Sequence, residues 1–240
     1  MESIKKIIYS LLFTILLLFT NSNGAFAFSK DTPQKLVDEA SIEKVIKSMT
    51  LNEKAHLVIG SGYPGPNGVV GATYTIPRLG IPSIILSDGP AGVRVGGRAG
   101  IAPRYATAFP IPSLLSATWD VTQMAKVAKA MGKESREYGI DVLLAPGVNI
   151  QRDPLGGRNF EYYSEDPFLA GTMATAFING IQSTGVGASL KHYAANNQQT
   201  NRTTINSVIS ERALKEIYLP AFEMAVKQAE PWTMMSAYNQ

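Results

Sequence analysis

The chain of 240 residues contains no cysteine, only two histidines and only two tryptophans. Without a thiol there is no disulfide framework, no residue to carry a bacterial lipid anchor behind an apolar leader, and no thiolate metal ligand. His56 and His192 lie far apart and give no recognisable zinc-ligand spacing, so a metal-dependent hydrolase has little support and no cofactor is implied. A dominant charge is missing too. The 22 basic and 19 acidic residues leave a net charge of +3, too balanced to argue for a nucleic-acid partner. No run is long enough to cross a bilayer either, because the extended apolar stretch at residues 7–19 falls short of the roughly 20 residues a spanning helix needs.

That stretch reads instead as the core of a signal peptide. Lys5 and Lys6 form a basic start, and Ala25-Phe26-Ala27 offers small residues at the cleavage spacing. Residues 1–27 are therefore expected to direct export to the periplasm or medium and to be cut off after Ala27, leaving no stable membrane anchor. Residues 28–240 then form one domain, in a chain whose 45% apolar and 17% charged residues are those of an ordinary protein with a substantial core.

What is present is a rhythm. Short apolar runs at residues 84–87, 142–145, 186–190 and 233–237 look like buried parallel strands, and amphipathic stretches long enough for helices separate them. The helices are punctuated. Thr50-Leu51-Asn52-Glu53 is a capping-box pattern within a helical region at 41–57, and Asp120 can cap a helix running through Met131. Asp166-Pro167 is an N-cap followed by proline at the first helical position, with Gly185 past the far end, and Ser210 can cap a helix carrying Leu214, Ile217 and Phe222. Residues 60–71 are crowded with Gly, Pro and Asn and read as a loop that could border a cleft. Gly96-Gly97-Arg98-Ala99-Gly100 lacks the lysine-plus-hydroxyl ending of a phosphate loop and reads as a flexible connection.

Repeated strand–helix units imply a parallel α/β sheet with right-handed crossovers, either open and doubly wound or closed into a barrel. In a barrel, functional residues come from the ends of many strands, and that is the pattern seen. Asp88, in Ser87-Asp88-Gly89-Pro90, ends the first strand; it can accept hydroxyl hydrogens or cap the following turn. Arg158 follows the second strand among acids and aromatics and can fork two oxygens or pair with a nearby acid. Lys191 and His192 end the third strand, both donors when charged, although a lone histidine is more often structural. The amide-rich run at 196–202 ends in Arg202 and suits hydroxyl binding or a solvated loop. Tyr238 ends the fourth strand, facing a cleft or packed in a core. An uncharged polyhydroxylated small molecule fits such a lining.

In order along the chain, Leu86-Ser87-Asp88-Gly89-Pro90, Gly157-Arg158-Asn159-Phe160-Glu161, Lys191-His192-Tyr193, Asn201-Arg202 and Met234-Met235-Ser236-Ala237-Tyr238-Asn239 resemble the motifs of glycoside hydrolase family 3. The resemblance spans roughly Ile42 to the last residue. It implies the amino-terminal part of a (β/α)8 TIM-type barrel, incomplete in this chain, whose first subsite grips a terminal β-linked sugar through Asp88, Arg158, Lys191, His192, Arg202 and Tyr238. It further implies a retaining, exo-acting β-glycosidase. The amide-rich run resembles the β-glucosidase and β-xylosidase branch, and the second histidine of the β-N-acetylglucosaminidase branch is absent. Retaining glycosidases need a nucleophile and an acid–base carboxyl about 5 to 5.5 Å apart. The family's nucleophilic aspartate and its acid–base residue are expected beyond Gln240, so no catalytic residue is assigned. The chain is accordingly expected to be a fragment, inactive alone, or a non-catalytic sugar-binding remnant.

Overall fold

The computed structural model describes residues 34–63, 65–96 and 104–240. The expected leader, and all of the glycine-rich connection beyond Gly96, lie outside these residues. Five strands form one sheet in sequential order: β1 (Gly71–Ala72), β2 (Ile85–Asp88), β3 (Val142–Leu144), β4 (Gly187–Tyr193) and β5 (Thr233–Ser236). The last four are parallel neighbours, in register through Leu86 with Val142, Val142 with Gly187, and Leu190 with Met234. They are the four runs expected from hydropathy, within a few residues at each end. β1 is an addition. It pairs antiparallel with β2, and two residues are too short for any periodicity to announce them.

The helices form where their caps direct. Helix α1 (Ile42–Ser48) is followed by α2 (Leu51–Leu57), which opens on the expected capping box. There the Glu53 amide donates to Thr50 Oγ1 at 3.2 Å, and the Thr50 amide donates to Glu53 Oε2 at 2.8 Å. After α3 (Pro112–Ser116), α4 (Val121–Glu137) starts on the Asp120 carboxylate, which accepts from the Thr122 and Gln123 amides. It ends on a left-handed Gly139, with Ile140 N–H reaching Ser135 O and Gly139 N–H reaching Arg136 O. This double closure stops the helix and turns the chain directly into β3. Asp166 caps α5 (Pro167–Gln182) through the Leu169 amide.

The stretch after Ser210 is less regular than its spacing implies. Ser210 caps a single turn at Glu211–Ala213, a π-turn follows at Leu214–Tyr218, and only then does α6 (Pro220–Ala229) begin. Pro220 has no N–H to give and its ring crowds the carbonyl four residues back, so the regular ladder is interrupted there.

One core joins these layers. Met124, Ala128 and Met131 of α4, Met173, Phe177 and Ile181 of α5 and Phe222 of α6 close over Leu143, Ala188 and Leu190 of the central strands. β4 is buried along all but its last residue, whereas β5, at the edge, is mostly exposed. Consecutive parallel strands, each returned by a helix, are the repeating unit of a (β/α)8 barrel, present here as a half-barrel. Among the described residues no helix is long and apolar enough to cross a membrane.

Candidate functional site

All six residues singled out from the sequence meet in one place. Asp88, Arg158, Lys191, His192, Arg202 and Tyr238 line a single cleft of about 610 Å³ at the carboxyl ends of the four parallel strands. Parallel strands run the same way, so their last residues share one rim. Asp88 is the final residue of β2, Lys191 and His192 close β4, and Tyr238 lies two residues past β5. Arg158 and Arg202 arrive on the connections after β3 and β4. Tyr63 and Val70 of the expected loop at 60–71 do border this cleft, as do Arg94, Gln199 and Met235.

Adjacent residues of a flat strand point to opposite faces, yet Lys191 and His192 both reach the cleft. The ladder is irregular at this point. Opposite β5 the register slips between Lys191, paired with Met235, and Tyr193, paired with Ser236. A bulge of this kind re-aims a side chain.

The electrostatics rest on a residue that the sequence reading quoted but gave no role. Glu161 is 3% exposed and stands behind the cleft wall. Its carboxylate accepts from Arg158 Nε and lies 3.4 Å from Lys191 Nζ. The two readings of Arg158 thus hold together, since it pairs with an acid and still lines the cleft. Burial works against its charge, but Glu161 beside it more than offsets this and raises its pKa. Lys191 is 2% exposed, and burial lowers its pKa against the pull of Glu161. The i,i+3 spacing of Arg158 and Glu161 was a local clue to their pairing; the approach of Lys191 from thirty residues on had none.

His192 differs from its neighbours. Burial, then the positive charges of Arg158, Lys191 and Arg202, push its pKa down to about 2, so the ring is neutral. It is therefore not the cationic donor that its place beside Lys191 invited. Two buried residues without a sequence signal hold it: Asn149, hydrogen-bonded to its backbone and ring, and Tyr162, with its hydroxyl 3.3 Å from Nδ1. Arg202 stacks over the ring of Tyr238 at 5.2 Å, which ties the last two lining residues together across the cleft rim.

The lining thus offers donors, from Arg158, Lys191 and Arg202, next to acceptors at Asp88 and His192. A ligand that both gives and takes hydrogen bonds at close intervals matches it. Among the described residues no group of three His, Asp or Glu side chains is placed to hold a metal ion.

The chain belongs to glycosyl hydrolase family 3, whose N-terminal domain matches residues 72–240. It is 47% identical over 204 residues to thermostable β-glucosidase B of Acetivibrio thermocellus, covering 83% of this chain and 26% of that protein. It is also 47% identical over 201 residues to an exo-α-(1→6)-L-arabinopyranosidase of Bifidobacterium longum, covering 81% of this chain and 26% of that one. Among solved structures, β-glucosidase 3B of Thermotoga neapolitana in complex with α-D-glucose superposes with a TM-score of 0.79 at 51% identity, covering 83% of this chain and 29% of that chain. The chain spans about a quarter of the length of the curated relatives it matches.

Proposed function

We propose that this chain is the substrate-gripping part of an exported, exo-acting, retaining β-glycosidase of the β-glucosidase type, which removes terminal β-linked sugars from oligosaccharides or glycosides. The observation that carries the reading is the convergence of Asp88, Arg158, Lys191, His192, Arg202 and Tyr238 on one cleft. Alternating donors and acceptors suit the crowded hydroxyls of a sugar ring better than they suit an apolar or singly charged ligand. In this reading these residues bind hydroxyls, and their contacts tighten as the ring distorts toward the transition state. The nucleophile and the acid–base carboxyl belong to the part of such an enzyme that this chain does not span. Export rests on the leader at residues 1–27, which amino-terminal sequencing of the secreted protein would test.

The sugar is the finer question. The relatives of nearly equal identity carry names for two activities, a β-glucosidase and an exo-α-(1→6)-L-arabinopyranosidase. Titrating the chain with D-glucose, D-xylose and L-arabinose by calorimetry separates these. Glucose is expected to bind most tightly, and Asp88→Asn to weaken it about 10-fold or more, since a hydrogen bond to a charged group is worth about 1.5–3 kcal/mol. Equal binding by Asp88→Asn would remove Asp88 from the sugar contacts, and a preference for xylose or arabinose would overturn the glucoside assignment.

A further inference from the structure

Asn149 is 2% exposed and makes three contacts to a single residue. Its Oδ1 accepts from the His192 backbone N–H at 3.0 Å, its Nδ2 donates to the His192 carbonyl at 2.9 Å, and the same Oδ1 lies 3.1 Å from His192 Nδ1. The two main-chain contacts fix the orientation of the amide, because a backbone N–H can only donate and a carbonyl can only accept. An oxygen therefore faces Nδ1, and only a protonated Nδ1 can bond to it, since a bare one would set two lone pairs against each other. The second neighbour agrees. Tyr162 OH donates to the Asn196 carbonyl at 3.2 Å and accepts from Asn196 Nδ2 at 2.9 Å, so at 3.3 Å from Nδ1 its oxygen is a further acceptor.

We propose that Asn149 is a positioning residue that locks His192 in the Nδ1–H tautomer, so that Nε2 is a bare acceptor that takes a hydrogen from a ligand hydroxyl in the cleft. The ring stays neutral among Arg158 from the connection after β3, Lys191 beside it and Arg202 from the loop after β4. The acids near these cations are Glu161, which pairs with the first two, and Asp88 on the opposite lining. Nε2 has no protein partner among the described residues. The consequence is selective: a hydroxyl at this point is read by its hydrogen, whereas a carboxylate or an ether oxygen has none to give. A cleft lined by four cations, Arg94, Arg158, Lys191 and Arg202, thereby gains a position that rejects anions. The ligand half of this proposal rests on the sugar-binding reading above; the tautomer does not.

The chain has only two histidines, so nitrogen NMR of the histidine-labelled full chain resolves both, with His56→Gln assigning the other. In the wild type, Nδ1 of His192 is expected to carry the proton and Nε2 none, with no titration between about pH 5 and 8, where an ordinary imidazole responds. Added D-glucose is expected to shift Nε2 and leave Nδ1 in place. Asn149→Ala is expected to populate both tautomers. Asn149→Asp keeps the acceptor and adds a charge, and is expected to bring protonation of His192 to higher pH. A protonated Nε2 in the wild type overturns the proposal whether or not either variant folds. An unchanged tautomer in Asn149→Ala, or an unmoved titration in Asn149→Asp, does so as well. Glucose that shifts neither nitrogen while the tautomer stands as stated counts against the sugar-binding reading and leaves the role of Asn149 intact.

Discussion

Removing the negative charge at Glu161 tests whether one buried carboxylate holds the cleft's cations in place. Glu161→Gln keeps the shape of the side chain and leaves Lys191, 2% exposed, without its counterion. At 3.4 Å and an effective dielectric of about 20, the lost attraction to Lys191 is about 5 kcal/mol before solvation offsets it. Breaking one side of a buried pair typically costs about 3–5 kcal/mol, against a total stability of about 5–15 kcal/mol for a domain. Urea unfolding should therefore show a midpoint lower by roughly 1–2 M, at a slope of about 2–3 kcal/mol per M.

The pH dependence carries a sign. Burial holds the folded pKa of Lys191 below the unfolded value, so between the two the unfolded chain binds more protons and stability rises with pH. Without Glu161 the folded pKa falls further, and the rising limb should begin at lower pH than in the wild type. Adding Lys191→Met removes the stranded charge and should recover at least about 1 kcal/mol of the loss. A loss below about 1 kcal/mol for Glu161→Gln, which is the worth of an exposed pair, would refute the argument. So would parallel pH profiles.

The other predictions concern the scaffold. Tyr163 is buried and its hydroxyl has no hydrogen-bond partner among the described residues, so Tyr163→Phe should leave thermal stability unchanged or raise it by about 1 kcal/mol; a clear loss would mean that the hydroxyl is satisfied. At Gly180 of α5 an added Cβ would lie 2.6 Å from Ala125 O and 2.7 Å from Ala128 Cβ of α4. Gly180→Ala should accordingly cost about 1–3 kcal/mol by calorimetry, although alanine is the better helix former. Hydrogen bonding from Arg78, then from the Thr50 amide, lowers the pKa of Glu53 to about 2. Its contribution to stability is present above the unfolded value of 4.5 and lost as pH falls toward 2, and carboxyl NMR of Arg78→Met should show the midpoint moving back toward 4.5.

Much of this arrangement was legible before any coordinates, because it is local. A run such as Val142-Leu143-Leu144 is apolar on both faces and reads as a buried strand, and caps such as Asp120 and Asp166 act on amides two or three residues away. The site residues could be named for a related reason: Asp88, Lys191, His192 and Tyr238 lie at or just past the end of a strand, and Arg158 and Arg202 on the connections that follow one. Where a second local rule intervened, the reading slipped. Pro220 interrupted a helix that apolar spacing had drawn as continuous, and β1 was too short to carry a pattern.

The sequence by itself determined the strand–helix order, the helix starts, and which polar side chains stand at the sheet's carboxyl edge, since these depend on neighbours within a turn or a strand. Only the tertiary structure decided how those side chains behave. The register slip beside Lys191 and His192, both of which reach the cleft, exists only against β5, more than forty residues on. Glu161 becomes a shared counterion only when β4 brings Lys191 beside it, and His192 is kept neutral by burial among Arg158, Lys191 and Arg202 and is held by Asn149, forty-three residues earlier. Charge, tautomer and direction are set by burial and by partners distant in the chain, and no local pattern encodes them.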